Sequence, residues 1–407
     1  MKIIKGNITT PKGFKATGNF VGLKKEKKDL ALILSEIPCT TSGCFTQNIV
    51  KAAPVLWDIE RVKTKKDKIK GIVINSGNAN ACTGAQGLKD CETTAETFAG
   101  LARCEKENVL VCSTGVIGVN LPMERLTNGI KTTFPLLSDS FESGELAAEA
   151  IMTTDTFSKT VCIEIELSGK KVTIGGMAKG SGMINPNMAT MLCFITTDAD
   201  ISKEMLDKAL SECVKDTFNM ICVDGDTSTN DTVLVLSNGL AGNERITEEN
   251  ADYAVFKEAL SEINKTLAVN CVKDGEGATK LMEVTAVGVK TKSDARKLVN
   301  SVVSSNLFKA ALFGADANWG RVLCAMGYSG ADFNPNFVTI TFKSKGGEIL
   351  LMDNGTPIVF DELKAAEILK ESDIYINIKL NEGTETATAW GCDLTYDYIK
   401  INGDYRS

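Results

Sequence analysis

Lys179-Gly-Ser-Gly-Met-Ile-Asn-Pro-Asn-Met-Ala-Thr-Met-Leu192 joins a Gly/Pro/Asn-rich segment directly to an apolar run, and Thr190 lies inside that run. A hydroxyl nucleophile needs a base, which is usually histidine, but the chain contains no histidine. One histidine-free route is cleavage of the peptide bond before a threonine, because the new terminal amine then serves as the base for that hydroxyl. The other interpretation is a structural threonine at the start of a strand.

Length and composition set the broad class of protein. The 407 residues suffice for two or three domains. The hydrophobic fraction of 43% and the charged fraction of 24% are those of a globular protein. The net charge of -7 argues against a general nucleic-acid binder. The segment Met1–Gly6 lacks a signal-peptide core, and no apolar run is long enough to span a bilayer. We therefore expect a cytoplasmic protein with no membrane partner.

The cysteines predict neither a metal site nor a cysteine nucleophile. The chain has 13 of them and no Cys-x-x-Cys pair, whereas structural zinc usually uses closely spaced Cys or His. A cysteine nucleophile would lack its histidine partner. Scattered thiols in apolar settings are typical of buried small side chains in a reducing compartment. We therefore expect no metal and free cysteines.

Short β-rich runs and helices alternate along the chain, which predicts α/β layers. An amphipathic helix is predicted around Phe256–Leu267, Ser202 is a candidate cap for the helix that follows it, and Ser293 is a candidate cap for a helix over 294–308. From Asp373 onward the pattern predicts strands and turns. No dinucleotide fingerprint or P-loop is present. The predicted strands are 71–76, 109–113, 161–167, 171–174, 191–195, 232–236, 338–342 and 374–380.

Glycine-rich turns after apolar strands are the candidate chemical loops, because their backbone N–H groups can point at a ligand. They are 75–80, 113–118 and 175–182. In the second, Thr114 and Gly115 could supply a hydroxyl and an N–H to an oxyanion. Two further loops carry polar groups: Asp274–Thr279, where Glu276 stands between two glycines, and Gly314–Arg321. For each the alternative is an ordinary turn.

Seven motifs, in order, resemble the ArgJ family, which comprises glutamate N-acetyltransferases, also called ornithine acetyltransferases. The resemblance covers essentially the whole chain. It is carried by Ser113-Thr-Gly-Val-Ile-Gly118, Met152-Thr-Thr-Asp-Thr156, Gly175-Gly-Met-Ala-Lys-Gly-Ser-Gly-Met183, Pro186-Asn-Met-Ala-Thr-Met-Leu192, Asp274-Gly-Glu-Gly-Ala-Thr-Lys280, Gly314-Ala-Asp-Ala-Asn-Trp-Gly-Arg321 and Ile401-Asn-Gly-Asp-Tyr-Arg-Ser407.

The resemblance implies a self-cleaving precursor, cut between Ala189 and Thr190 into an α chain of residues 1–189 and a β chain of residues 190–407. Thr190 would be the nucleophile, and Thr114 with Gly115 would form the oxyanion hole. The implied fold is a layered α/β sandwich of the ArgJ/DmpA type, similar in layering to N-terminal-nucleophile hydrolases but distinct in connectivity. The implied substrate-binding residues are Thr153, Lys179, Thr190, Glu276, Asn402 and Ser407.

The implied reaction moves an acetyl group from N2-acetylornithine to glutamate in arginine biosynthesis, through an acetyl-Thr190 intermediate. It requires no cofactor; the resemblance leaves open whether acetyl-CoA is a second donor. Two α and two β chains are the implied assembly. Two alternatives remain at this point. One is a self-processed threonine amidohydrolase or aminopeptidase that uses water as the acceptor, and the other is an unprocessed binding protein in which Thr190 is structural.

Overall fold

Sixteen β-strands and eleven α-helices make up the secondary structure of the described residues, apart from short 3-10 turns. In the computed structural model, residues 1–185 and 191–404 are described. Within these ranges the strands are β1 Lys2–Ile4, β2 Phe14–Asn19, β3 Leu30–Phe45, β4 Ile69–Asn78, β5 Val109–Val116, β6 Lys159–Leu167, β7 Lys170–Lys179, β8 Leu192–Thr197, β9 Ile221–Cys222, β10 Thr232–Ser237, β11 Leu281–Val289, β12 Thr339–Ser344, β13 Gly347–Asp353, β14 Thr356–Pro357, β15 Asp373–Lys379 and β16 Glu385–Cys392. All eight predicted strands are confirmed, with bounds that differ by a few residues.

These strands form two mixed sheets. Among the described residues, the larger sheet has nine strands in the order β1-β6-β7-β8-β10-β3-β4-β5, with β2 paired to β3. The smaller has seven, in the order β14-β13-β12-β15-β11-β16-β9. Strand β7 is antiparallel to β8, with Lys179 opposite Leu192, and β8 is parallel to β10. Strands β7 and β8, which come before and after residues 180–191, are therefore neighbours at the centre of the larger sheet.

Eleven α-helices are found in the same two ranges. They are α1 Ala53–Thr64, α2 Gly84–Ala102, α3 Met123–Thr133, α4 Phe141–Ala150, α5 Lys203–Lys215, α6 Ala251–Lys273, α7 Lys292–Val303, α8 Asn306–Phe313, α9 Trp319–Gly327, α10 Glu362–Leu369 and α11 Tyr396–Asp404. Helix α6 contacts β6 and β7 of the larger sheet and β16 and β9 of the smaller one. It therefore lies between the two sheets, which gives the predicted layered α/β arrangement.

The central strands of the larger sheet have buried side chains on both faces. In β8, Cys193 and Ile195 belong to the apolar cluster shared with α5 and α6, whereas Leu192 and Phe194 belong to the cluster on the opposite face. Strand β10 follows the same alternation. A period of two places successive side chains on opposite faces, so a strand covered on both sides is apolar almost throughout.

The predicted helix over 294–308 and the predicted C-terminal strands and turns differ from the structure. Helix α7 is capped by Thr291, whose side chain accepts the Asp294 amide, and not by Ser293. This helix ends at Val303, and α8 begins at Asn306 with its own cap, Ser305, so the predicted single helix over 294–308 is two helices. The C-terminal segment is also not entirely strands and turns, because α11 follows β16. The cap at Ser202 and the helix through 256–267 are confirmed.

No helix within the described ranges is both long enough and apolar enough to cross a membrane.

Candidate active site

The ends of β4 and β5 present Thr114 and Gly115 at the edge of a cleft. The two strands are parallel, and Gly115 lies opposite Gly77. Gly115 has φ +132°, and a Cβ at this position would lie 2.3 Å from the Gly77 carbonyl carbon, so only glycine fits. Asn230 holds the strand ends together, since its Nδ2 donates to the carbonyl oxygens of Ala79 at 2.7 Å and Ser113 at 2.8 Å.

Lys179 is the last residue of β7 and is 3% exposed. Its Nζ donates to Thr153 Oγ1 at 2.9 Å and lies 3.5 Å from Thr114 Oγ1. The sequence interpretation of 175–182 as one loop is wrong, because residues 175–179 belong to β7 and only Gly180–Gly182 turn away from the sheet. Strand β7 therefore places the buried Lys179 side chain beside two hydroxyl groups.

Glu276 faces the same cleft from the turn after α6. Its Oε1 accepts the Thr154 hydroxyl at 2.7 Å, and its Oε2 accepts Asn402 Nδ2 at 2.7 Å. The hydroxyl groups of Thr154 and Ser181 are 2.6 Å apart. Because the single Thr154 hydrogen is directed to the carboxylate, Ser181 is the donor in that pair. A Cβ on Gly182 would lie 2.4 Å from Glu276 Oε2, so glycine leaves room for the carboxylate.

Helix α11 brings Asn402 to Glu276 because it packs on the turn that contains Gly277. Gly277 has φ +68°, and a Cβ there would lie 2.6 Å from the Tyr398 amide nitrogen. Thr395 Oγ1 donates to the Gly277 carbonyl at 2.7 Å. The C-terminal helix is therefore docked against the acidic turn and contributes a polar side chain to the cleft.

A buried charge cluster holds these segments in place. Lys159 Nζ donates to Asp155 Oδ1 at 2.7 Å and to Asp274 Oδ2 at 2.6 Å, and all three side chains are at most 2% exposed. Asp155 also accepts the amides of Gly180 at 2.7 Å and Thr153 at 2.9 Å. Burial alone would raise the pKa of Asp155, but Lys179 and Lys159 hold it well below its usual range.

Two further aspartates hold the chain on either side of residues 186–190. Asp224 accepts the amides of Met183 at 2.6 Å and Ile184 at 2.9 Å. Asp231 is fully buried and accepts the Met191 amide at 3.1 Å through Oδ1. Its Oδ2 is buried without a hydrogen-bond partner among the described residues. Burial raises the pKa of Asp231 well above its usual range.

The cleft has an empty volume of about 600 Å³, and it contains all six described residues that the sequence singled out for the site. Ala189, Thr190 and Ser407 lie outside the described residues. The segment Gly314–Arg321 does not line the cleft; it leads into α9, with Asn318 as the cap. The lining residues are Ala79, Thr114, Gly115, Ile117, Thr153, Thr154, Lys179, Gly182, Met183, Ser228, Thr229, Asn230, Glu276 and Asn402.

Sequence reasoning missed the segment Asp224–Asp231, which supplies Asn230 and the two aspartates. The only signal was its density of polar residues, Asp-Gly-Asp-Thr-Ser-Thr-Asn-Asp, between two apolar strands. Such a run is ordinary for a turn. Its role depends on hydrogen bonds to residues about 40 positions earlier in the chain.

The fold and the cleft define a layered α/β protein with a buried lysine and a carboxylate facing one polar site. Residues 15–407 match the ArgJ family. The chain therefore belongs to the ArgJ family. It is 54% identical over 407 residues to the arginine biosynthesis bifunctional protein ArgJ of Caldanaerobacter subterraneus subsp. tengcongensis, with 100% of both chains covered. It is 49% identical to the protein of that name from Thermotoga neapolitana, over 98% of this chain and 99% of the relative.

The chain is also similar to a solved structure of a member of this family. The crystal structure of arginine biosynthesis bifunctional protein ArgJ from Bacillus halodurans aligns with a TM-score of 0.50 and 46% identity, covering 52% of this chain and 98% of the solved chain. The family, the layered α/β fold and an acyltransferase of arginine biosynthesis, all predicted from the sequence, are thereby confirmed.

Replacing Lys159 with methionine should strongly destabilise the protein. The substitution leaves Asp155 and Asp274 buried without their cation, and breaking a buried ion pair typically costs about 3–5 kcal/mol. Denaturant unfolding of Lys159→Met against the unaltered protein measures the loss. The matched control is Lys343→Met, which removes an exposed pair with Glu348 and should cost under about 1 kcal/mol. Similar losses in the two variants would contradict an organising role for the cluster.

Proposed function

We propose that this enzyme transfers an acetyl group from N2-acetylornithine to glutamate, using Thr190 as the nucleophile after cleavage of the Ala189–Thr190 bond. The observation that carries the proposal is the cleft that Thr114, Gly115, Lys179 and Glu276 line together. The names of its relatives, arginine biosynthesis bifunctional proteins, support a two-reaction enzyme of this pathway. No relative named above supports the amidohydrolase or aminopeptidase alternative.

Covalent geometry supports the assignment of the nucleophile. Met191 follows Thr190 directly, so the amide that Asp231 holds at 3.1 Å is bonded to the Thr190 carbonyl carbon. Lys179 lies opposite Leu192 across the β7–β8 pair. Asp231 and Lys179 therefore pair with the two residues that directly follow the proposed nucleophile in the chain.

The proposed chemistry begins with self-processing. The Thr190 hydroxyl attacks the Ala189 carbonyl, the acyl group shifts from nitrogen to oxygen, and water hydrolyses the resulting ester. The chain would then consist of residues 1–189 and 190–407. The solved Bacillus halodurans chain is consistent with this step, because nearly all of it corresponds to about half of this chain. The assembly of two such α and two β chains, and the cytoplasmic location, stay predictions.

In the transfer reaction, the new α-amine takes the Thr190 proton while the hydroxyl attacks the acetyl carbonyl. The Thr114 hydroxyl and the Gly115 N–H stabilise the oxyanion, and removing one such donor typically costs about 2.7–4 kcal/mol of transition-state stabilisation. Ornithine leaves, and the glutamate amine attacks the acetyl-threonine ester, so the kinetics are ping-pong. No cofactor takes part in these steps.

The charges in the cleft match the two ends of N-acetylornithine. Lys179 is the candidate partner for the α-carboxylate, and Thr153 bridges to it through its hydroxyl. Glu276 is the candidate partner for the side-chain ammonium, with Asn402 and Thr154 orienting the carboxylate. Ser407 completes the proposed set of binding residues.

The direct test of this function is an assay of acetyl transfer. Purified enzyme supplied with N-acetylornithine and glutamate should form ornithine and N-acetylglutamate in equal amounts, with parallel lines in a two-substrate kinetic plot because release of ornithine precedes the attack by glutamate. Release of free acetate at the same rate with and without glutamate would instead identify a hydrolase.

Processing should depend on the Thr190 hydroxyl. The unaltered chain should give two fragments with a new N-terminus of Thr190, measured by intact-mass spectrometry and N-terminal sequencing. Thr190→Ala should stay in one piece because the attacking oxygen is gone, whereas Thr190→Ser retains a hydroxyl and should still be cleaved. A cleaved alanine variant would rule out the autocatalytic route.

Glu276→Gln should weaken use of N-acetylornithine without preventing cleavage. Loss of a charged hydrogen bond is worth about 1.5–3 kcal/mol, so we expect KM for N-acetylornithine to rise at least tenfold. The side-chain shape is kept, and the melting temperature should change little. The matched control is Glu362→Gln on α10, an exposed carboxylate away from the cleft. Unchanged kinetics, or a large drop in melting temperature, would assign Glu276 to the scaffold.

A further inference from the structure

Lys24 lies in the loop between β2 and β3, and its side chain is turned inward, toward the segment that follows α4. Its Nζ donates to the main-chain carbonyl oxygen of Met152 and, at 3.0 Å, to that of Lys28. Residues 25–27 of the same loop are exposed, whereas Lys24 is half-buried. Met152 directly precedes Thr153, which lines the acetyl-transfer cleft. Lys24 therefore holds the backbone from which a residue of the cleft projects.

The peptide group between Met152 and Thr153 is held at both of its polar atoms. Its oxygen accepts a hydrogen bond from Lys24 Nζ, and its N–H donates to Asp155 Oδ2 at 2.9 Å. Because a peptide group is planar, bonds to both atoms fix its orientation. The Thr153 hydroxyl accepts a hydrogen bond from Lys179 Nζ at 2.9 Å. The backbone that carries this hydroxyl is therefore set by one cationic and one anionic side chain.

The loop that carries Lys24 is itself fixed by Asp29. The Asp29 carboxylate is fully buried and accepts the amides of Val21 at 2.7 Å, Leu23 at 2.6 Å and Lys24 at 2.8 Å. The Asp29 carbonyl oxygen accepts the Ser76 amide at 2.9 Å, which ties the loop to β4. The Lys24 side chain therefore extends from an anchored backbone.

The aliphatic part of Lys24 packs beside the other wall of the cleft. Gly77 has φ +103°, and a Cβ at this position would lie 3.0 Å from Lys24 Cγ, so glycine lets the lysine pass close to the end of β4. Gly77 lies opposite Gly115 in the β4–β5 pair. One side chain therefore contacts both the strand end beside the proposed oxyanion hole and the segment that contains Thr153.

The charge of Lys24 is costly to keep in this position. Burial lowers the pKa of Lys24 to about 8, the negative charge of Asp29 opposes this shift, and the positive charges of Lys179 and Lys27 add to it. An apolar side chain would fill the same space without that cost. Perturbed ionisable groups are concentrated at functional sites, which favours a role in the reaction over a role in packing.

We propose that Lys24 is a positioning residue for acetyl transfer. Through the Met152 carbonyl it sets the Thr153 hydroxyl, which in turn orients Lys179 toward the carboxylate of N-acetylornithine. This inference rests on the proposed function, in which Lys179 is the partner of that carboxylate. Lys24 is not among the residues that line the cleft, so it acts through Thr153. Its loss should weaken binding of the donor more than it slows the chemical step.

The first test compares Lys24→Met and Lys24→Arg with the unaltered enzyme. Methionine keeps the carbon atoms that pack beside Gly77 but has no N–H to donate, whereas arginine keeps a cationic donor. We expect Lys24→Met to raise KM for N-acetylornithine about tenfold, with kcat and self-cleavage little changed, and Lys24→Arg to recover most of the loss. The control Lys25→Met removes an exposed lysine from the same loop and should change KM by less than about twofold.

A double-mutant cycle tests whether Lys24 acts through Thr153. Thr153→Ala should also raise KM for N-acetylornithine. Adding Lys24→Met to that variant should raise KM little further, because the hydroxyl that Lys24 positions is already gone. Effects of the two substitutions that multiply would mean that the residues act independently, and would overturn the proposal.

The melting temperature separates positioning from a general role in stability. A Lys24→Met chain that does not fold, or that melts far below the unaltered enzyme, would assign Lys24 to the scaffold and overturn the proposal. An unchanged KM, or a fall in kcat alone, would overturn it too, while the acetyl transfer by the unaltered enzyme would stand. Absence of acetyl transfer from N-acetylornithine in the unaltered enzyme would instead refute the proposed function, and this inference with it.

Discussion

The ion cluster of Lys159 with Asp155 and Asp274 is the interaction on which the arrangement of the site depends. Each of these charges would cost several kcal/mol to bury alone, so the three side chains are stable inside the protein only as a set. The two carboxylates also accept backbone amides, including those of Gly180 and Thr156. The cluster therefore joins three segments that are far apart in sequence, and it does so directly behind the cleft.

This cluster also explains how a cation and an anion can face one small site without collapsing onto each other. Lys179 is adjacent in sequence to Gly180, whose amide is held by Asp155, and Glu276 is two residues beyond Asp274. Asp155 and Asp274 are both fixed to Lys159. The backbone next to Lys179 and the backbone near Glu276 are therefore held in place as well. The charged side chains of the site are held apart with their hydrogen bonds directed to neutral hydroxyl and amide groups.

Much of the fold could be predicted from sequence because its signals are local. The apolar runs of β8 and β10 arise because both faces of these strands are buried. The stripe along α6 arises because its apolar side packs into the core. Helix α11 gave no such signal, since none of its residues is buried. For the site, residue chemistry alone suggested Thr114, Gly115 and Glu276 and marked the 175–182 segment that contains Lys179, but Thr153 and Asn402 came only from the family resemblance. The contact between Asn402 and Glu276 spans 126 positions, and no local pattern records such a pairing.

The electrostatics around the proposed nucleophile favour a free amine. An α-amino group has an ordinary pKa of about 7.7–8.0, and a nearby cation lowers this value whereas a nearby anion raises it. In the proposed enzyme Lys179, which lies opposite Leu192, supplies the cation. Burial raises the pKa of Asp231 well above its usual range, which favours the neutral form of this carboxyl group. A carboxyl group that accepts the Met191 amide in that form opposes the effect of Lys179 less than a carboxylate would.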